Sequence, residues 1–304
     1  MIVLDSLFPI FALLLFGAIL KRRGLTDGPF LAVSDKLIYY FFFPLMLFWK
    51  IGAAGTGKGI PWTFCLACYS ALLAMFALSA LVIRFRPIPA FKAGSFSQSC
   101  YRFNTYIGVA VILNSVGAEG VKLFGIMIGL AIPLINLFAV TTCIAYAGGT
   151  APQGRRLTVI ARALIGNPLI LGCLAGIVYS RLVGSFPVFV DNTLGLVSAA
   201  ALPMALISIG GSLTFSGVRG NLGPALLAAL LKLVVLPLFG LLFFSLYGVE
   251  GLAFKVGMIF LALPTSTAIY ILSSQMGSDT DLASAAIVFS TLLSFVSLSV
   301  VLLL

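Results

Sequence analysis

The sequence contains no histidine in 304 residues and little charge: eight residues are acidic and 9% are charged in all. Such a poverty of charge excludes an ordinary soluble domain, in which about a quarter of the residues are charged. The eight acids (Asp5, Asp27, Asp35, Glu119, Asp191, Glu250, Asp279 and Asp281) fall in loops or near the ends of apolar runs. No paired carboxylates and no nucleophile with a base lie inside those runs, so chemistry of the intramembrane-protease kind is not indicated and the chain is not read as an enzyme. The carboxylate or histidine relay that proton-coupled carriers place in mid-membrane is missing as well. Cys65, Cys68, Cys100, Cys143 and Cys173 sit in or beside apolar runs, and Cys65-x-x-Cys68 has no second pair to complete a metal site. They read as small core residues. No cofactor or metal is expected, although backbone carbonyls with Asn, Ser and Thr oxygens could bind sodium. The net charge of +10 comes in small basic groups between apolar runs, without aromatic interleaving or finger spacing. Nucleic acid is therefore excluded as a partner.

What is present is apolar: 61% of the residues, in recurring runs of about 20, each long enough to cross about 30 Å of hydrocarbon as a helix. A β-barrel would instead alternate apolar and polar residues over short segments. The fold class is thus an all-α polytopic membrane protein. Ten spans are expected, at 3–20, 33–52, 61–83, 93–116, 121–147, 164–181, 190–213, 222–246, 251–276 and 282–303. The first run has no basic residues before it and ends in Lys21-Arg22-Arg23, so it reads as a span and not as a cleaved leader. Placing the first loop in the cytoplasm gathers Lys21, Arg22, Arg23, Lys36, Arg84, Arg86, Lys92, Arg155, Arg156, Arg162 and Arg219 on that side. Only Lys50, Lys58, Lys122, Arg181 and Lys255 fall on the other. The excess of cytoplasmic Lys and Arg puts both termini outside the inner membrane. Arg102 and Lys232 are the two basic residues left within spans.

The chain repeats itself. Pro9, Leu15, Gly17 and Arg22 recur 159 residues later as Pro168, Leu174, Gly176 and Arg181, and Leu37, Pro44, Leu47 and Gly52 recur as Leu196, Pro203, Leu206 and Gly211. Thr105 and Gly117 recur at an offset of 160 as Thr265 and Gly277. The expected organisation is residues 1–150 as a first repeat of five spans, 151–163 as a short cytoplasmic connector and 164–304 as a second repeat. An odd number of spans per half inverts the second half, the architecture of many secondary transporters, whose substrate site lies at the midplane between discontinuous helices. At this offset YRFNTYIGVAVILNSVG (101–117) aligns with LALPTSTAIYILSSQMG (261–277), the two most polar of the apolar runs. Pro264 removes a backbone donor and disfavours helix at Leu263, and Asn104 takes the matching place in the first half. Both runs are expected to break there. Half-helix N-termini meeting in one cavity, each with about half a positive charge, would attract an anion.

These residues carry a resemblance. Arg102-x-Asn104-Thr105 with Ile107-Gly108, Asn167-Pro168-Leu169, the run Leu202 to Gly210, Lys232-Leu233 with Pro237, Pro264, and Ser290-Thr291-Leu292 together resemble the auxin efflux carrier family of permeases over essentially the whole chain. The resemblance implies a fold similar to the bile-acid/sodium symporters, with spans 1, 2, 6 and 7 as a scaffold and spans 3–5 and 8–10 as a mobile transport bundle. It implies a substrate among small organic anions such as auxin, malate or malonate, and a homodimer through the scaffold spans 2 and 7. Val109-Ala110 stand where family members often have a proline, and the segment 148–163 is short, as in the compact bacterial type.

The expected substrate-binding residues are Arg102, Asn104, Thr105, Pro264, Thr265, Ser266 and Thr267, with Ser273, Ser274 and Gln275 as further candidates to line the pathway. Arg102 lies about 14 Å into its span by helical rise, where it could serve the anion pathway, brace the crossover or snorkel to the headgroups. Asn104 and the Thr and Ser residues could cap half-helices as well as touch ligand. Lys232 could be structural or interfacial. The function expected is alternating-access transport of carboxylates. Efflux or uniport is favoured over coupled uptake of a dicarboxylate, because outward movement of an anion gains about 2.3 kcal/mol per 100 mV of inside-negative potential. A membrane sensor of the same fold that no longer transports is the reading from a different class.

Overall fold

The computed structural model describes residues 2–53, 61–86, 88–146, 166–213 and 218–304; the expected connector 151–163 lies outside the described residues. All regular structure among them is helical. In chain order the helices are α1 (Ile2–Arg22), α2 (Gly28–Leu37), α3 (Phe43–Ala53), α4 (Trp62–Phe85), α5 (Ala90–Tyr101), α6 (Thr105–Tyr146), α7 (Pro168–Leu182), α8 (Val188–Ser212), α9 (Val218–Leu230), α10 (Leu236–Leu246), α11 (Gly251–Ala262), α12 (Ala268–Gln275) and α13 (Thr280–Leu302). Among the described residues, seven helical stretches are long and apolar enough to cross a membrane: Val3–Arg22, Gly28–Ala53, Trp62–Phe85, Ala90–Tyr146, Val188–Ser212, Gly220–Leu246 and Thr280–Leu302. Pro168–Leu182 and Gly251–Ala262 are shorter apolar helices.

Local chemistry explains where these helices start and bend. Asp27 caps α2 by accepting from the Phe30 N–H at 2.7 Å, Asn167 caps α7 through the Leu169 and Ile170 N–H groups at 3.0 and 3.4 Å, and Asp279 caps α13 through Leu282. Each supplies an acceptor that the first turn lacks. Single π-turns, Ile38–Phe42 and Leu231–Val235, join α2 to α3 and α9 to α10. Pro44 and Pro237 stand two residues after them. A proline ring collides with the carbonyl four residues back, and a wider turn just ahead of it relieves that collision. Within α6, Gly117 adopts φ 76° and ψ −164°, a backbone that non-glycine residues avoid, and it divides the helix into two limbs.

The chain divides into two compact units. The first comprises Met1–Pro61, Val109–Leu130 and Arg162–Leu213. Here α1 packs on α8 and α3 on α7, both through glycine. A Cβ on Gly17 would run into the Ile207 backbone, and one on Gly210 into that of Leu14. Gly172 and Gly176 likewise lie against the Pro44 and Phe48 backbones. Such close approach is how helices associate where lipid offers no hydrophobic drive. Helix α2 begins at Gly28, five residues ahead of the expected span, which puts Asp35 about two turns in from the helix start, where it accepts a hydrogen bond from Ser208 on α8. Of the bulky residues around Pro44, Phe43 is fully buried. Phe48 packs edge-on against Tyr179 and Phe186, and the Trp49 indole donates to Asp191 at 2.6 Å. Tyr40 and Phe41 remain exposed.

The second unit comprises Trp62–Gly108, Ala131–Ala161 and Thr214–Leu304. Helix α9 packs on α13, α10 on α4, and α5 on α4 and α13. Stacked Phe64 and Phe244 and the pair Phe76 and Phe138 at 4.2 Å fill its core. Unlike the first unit, its interior is rich in buried polar groups, and these surround the two breaks described next.

Candidate functional site

Both expected breaks are present and they meet. Helix α5 ends at Tyr101, Arg102 is extended (φ −66°, ψ 151°), and α6 starts at Thr105. Helix α11 ends at Ala262, Leu263 is extended (φ −61°, ψ 148°), and α12 starts at Ala268. The Asn104 N–H donates to the Pro264 carbonyl at 2.9 Å, so the two interrupted segments touch at the residues that interrupt them.

Backbone groups set free at this depth need partners inside the protein, and most find one. The Asn104 side-chain oxygen accepts from the Tyr106 and Ile107 N–H groups, both at 3.1 Å, and caps α6. The Ser266 hydroxyl accepts from the Ala268 N–H at 3.2 Å at the start of α12. The Thr265 N–H donates to the Ser290 hydroxyl at 3.2 Å. At the end of α11, the Leu261 carbonyl accepts from the Lys232 side-chain nitrogen at 3.0 Å and the Ala262 carbonyl from the Ser297 hydroxyl at 3.1 Å. What stays unanswered is informative: the Thr265 and Thr291 hydroxyls and the Arg102 Nε are buried without a hydrogen-bond partner. A buried polar group left unpaired costs about 1–3 kcal/mol.

Arg102 is 6% exposed, and its Nη2 donates to the Asn136 side-chain oxygen on α6 at 2.7 Å. This bond ties the residue before the first break to the second limb of α6, so the guanidinium braces the crossover from within the unit. Asn104, Pro264 and Thr265 are buried at the crossing, and Thr105, Ser266 and Thr267 are half-buried beside it. Ser273, Ser274 and Gln275 do not join them. Ser273 is locked in a separate knot in which the Ser95 hydroxyl donates to the Asp279 carbonyl and lies within hydrogen-bond distance of the Ser273 and Ser278 hydroxyls, while Ser274 and Gln275 are exposed. Sequence reasoning missed Asn136, Ser297 and the Lys232 contact as parts of the site. The polar residue in an apolar run was the available signal for each. Among the described residues no three of His, Cys, Asp and Glu come together as metal ligands.

Long apolar helices, interrupted in pairs and meeting among buried polar side chains, define an integral membrane protein of the solute-transporting kind rather than an enzyme. Residues 153–302 match the family model described as membrane transport protein. Near-full-length relatives agree. An uncharacterized transporter of Methanothermobacter thermautotrophicus is 26% identical over 97% of this chain and 95% of its own length. A protein of Rhizobium meliloti provisionally named a malonate transporter is 25% identical over 94% of this chain and 90% of its own. An uncharacterized transporter of Methanocaldococcus jannaschii is 21% identical over 97% and 96%. The chain is a multi-pass membrane protein similar along its length to these transporters, and its second half matches the membrane transport family model.

Proposed function

We propose that the protein carries small organic carboxylates across the inner membrane by elevator-type alternating access, with the substrate held where the two broken helices cross. The observation that carries this reading is the Asn104 to Pro264 hydrogen bond, which brings the N-termini of α6 and α12 to one place. The positive ends of two half-helices favour an anion. The unpartnered Thr265 hydroxyl supplies a neutral donor, and Asn104, Thr105, Ser266 and Thr267 surround it. Arg102 contributes by bracing this arrangement through Asn136. The name of the Rhizobium relative points to dicarboxylates such as malonate as the first substrates to try.

The ten-span inverted repeat belongs to the same proposal. Residues related by the 159-residue offset, Gly17 with Gly176 and Pro44 with Pro203, lie on the two helix pairs of the first unit, α1 with α8 and α3 with α7. Exchange of partners between two copies of one motif produces such pairing. Cytoplasmic loops rich in Lys and Arg support outward-facing termini, and the exposed Tyr40 and Phe41 offer a face for a homodimer through spans 2 and 7. Outward carboxylate movement runs with the membrane potential, whereas uptake requires a coupling ion. Binding of malonate, malate and indole acids to purified protein, with and without sodium, tests the proposal. Thermal stabilisation by at least one carboxylate supports it, and indifference to all of them overturns it.

A further inference from the structure

Lys232 is 1% exposed in the middle of an apolar bundle, far from either end of the stretch Gly220–Leu246. It occupies the π-turn between α9 and α10, a distortion that often marks functional sites. Its amine donates to the Leu261 carbonyl, three residues before Pro264, and so borders the crossing. Buried lysines are ordinarily fixed as cations by a carboxylate. None serves here: Lys92 with Asp279 is the ion pair found among the described residues.

The helices packed against the π-turn are α5, α9, α10, α11 and α13. From α5, Cys100 is buried with its thiol donating to the Phe96 carbonyl; Tyr101 is buried at the end of that helix, and Lys92 pairs with Asn221 and Asp279. Helix α10 carries no titratable side chain. Lys255 of α11 and Asp281 of α13 are exposed toward the ends of their helices. Arg219 on α9 completes the set, with its side chain outside the described residues.

An ammonium and a neutral amine both donate hydrogen bonds, so Lys232 can keep the Leu261 carbonyl in either state. With no acid to fix its charge, the charge nearest to it decides, and the crossing at which we place the carboxylate is its neighbour. We infer that Lys232 is a proton-binding site that couples transport to protons: it takes a proton from water on the loading side when the carboxylate binds and returns it to water on the opposite side as the carboxylate leaves. The empty carrier goes back with a neutral amine. Each cycle moves one proton together with one substrate, and no bond other than N–H forms or breaks. The inference rests on carboxylate transport as proposed above and lets a pH gradient drive uptake.

The test uses full-length protein in liposomes with labelled malonate, the membrane potential clamped at zero and the medium well above the malonate pKa values. Counterflow, gradient-driven accumulation and proton movement are followed together, the last with a trapped pH dye. With one proton per substrate, accumulation rises about tenfold for each pH unit of gradient, and the dye reports about one proton per malonate. Lys232→Met and Lys232→Arg, whatever their absolute rates, lose the response to the gradient and the dye signal. A lysine that only caps α11 predicts otherwise, with Lys232→Arg keeping the wild-type pH profile. Wild-type counterflow without proton movement, or an unchanged pH profile in both variants, overturns the coupling while leaving the carrier reading intact. Wild-type protein that moves no carboxylate overturns the carrier reading and the coupling with it. Should both variants fail to fold, the wild-type proton count still decides.

Discussion

Asn104 does two things at once, and a pair of substitutions separates them. Its side-chain oxygen caps α6 by accepting from two backbone N–H groups, and its position at the crossing puts it beside the proposed anion. Asn104→Ala removes the cap, worth about 1–2 kcal/mol, and leaves the Ile107 N–H buried and unpaired, so a loss of about 2 kcal/mol is expected. Asn104→Asp keeps an accepting oxygen in the same place, and a carboxylate at a helix N-terminus is favourable by about 0.3–1 kcal/mol. Burial of the charge offsets part of that gain, so its stability should lie above that of the alanine variant. Toward the substrate the order reverses. A carboxylate about 5 Å from a bound anion, at an effective dielectric constant of about 20, costs about 3 kcal/mol, which weakens binding by a hundredfold or more. The alanine variant, lacking one polar contact, should lose about tenfold or less. Thermal unfolding in mild detergent reads the first effect, and titration with malonate reads the second. An aspartate variant as unstable as alanine would refute the capping geometry, and one with wild-type affinity would remove the anion from the crossing.

Two further tests address other contacts. If Arg102 braces the crossing through Asn136, Arg102→Ala and Asn136→Ala should be non-additive by about 1 kcal/mol or more in thermal stability, and Arg102→Lys should fall between wild type and alanine because it loses the planar fork; additive effects would free Arg102 from that partner. Gly210→Ala, whose Cβ would meet the Leu14 backbone, should cost about 1–3 kcal/mol, whereas Gly223→Ala, with nothing within 4 Å of its Cβ, should gain up to about 1 kcal/mol from helix propensity. Equal melting shifts for the two glycines would contradict the close packing of α1 on α8.

Much of this architecture is written locally. Apolar runs of membrane length, the proline at 264 and the asparagine at 104 are enough to place helices and their interruptions, because length, a missing N–H and a capping side chain act within a few residues of themselves. The caps at Asp27, Asn167 and Asp279 follow the same logic. Contacts between distant helices do not. That Lys232 reaches the Leu261 carbonyl, Ser297 the Ala262 carbonyl and Arg102 the Asn136 side chain depends on how each helix is rotated about its axis. A helix that is apolar all round gives no periodic signal from which to read that rotation. The same ambiguity hid the separation of Ser273, in its serine knot, from Ser274 and Gln275 on the exposed side, since neighbours on a helix point in different directions. The π-turns ahead of Pro44 and Pro237 were signalled by those prolines, but proline marks a distortion without stating its form.

The central claim is that carboxylates cross the membrane through the helix crossing, and counterflow tests it most directly. Purified protein in liposomes preloaded with unlabelled malonate is diluted into a trace of labelled malonate, and the label inside is followed against protein-free liposomes and against the Asn104→Asp variant. A transient accumulation of label above its equilibrium level, abolished by Asn104→Asp, is the predicted result. A chain that is stabilised by malonate on heating yet gives no accumulation across the carboxylates tried would be a membrane sensor on a transporter fold, and would contradict the account.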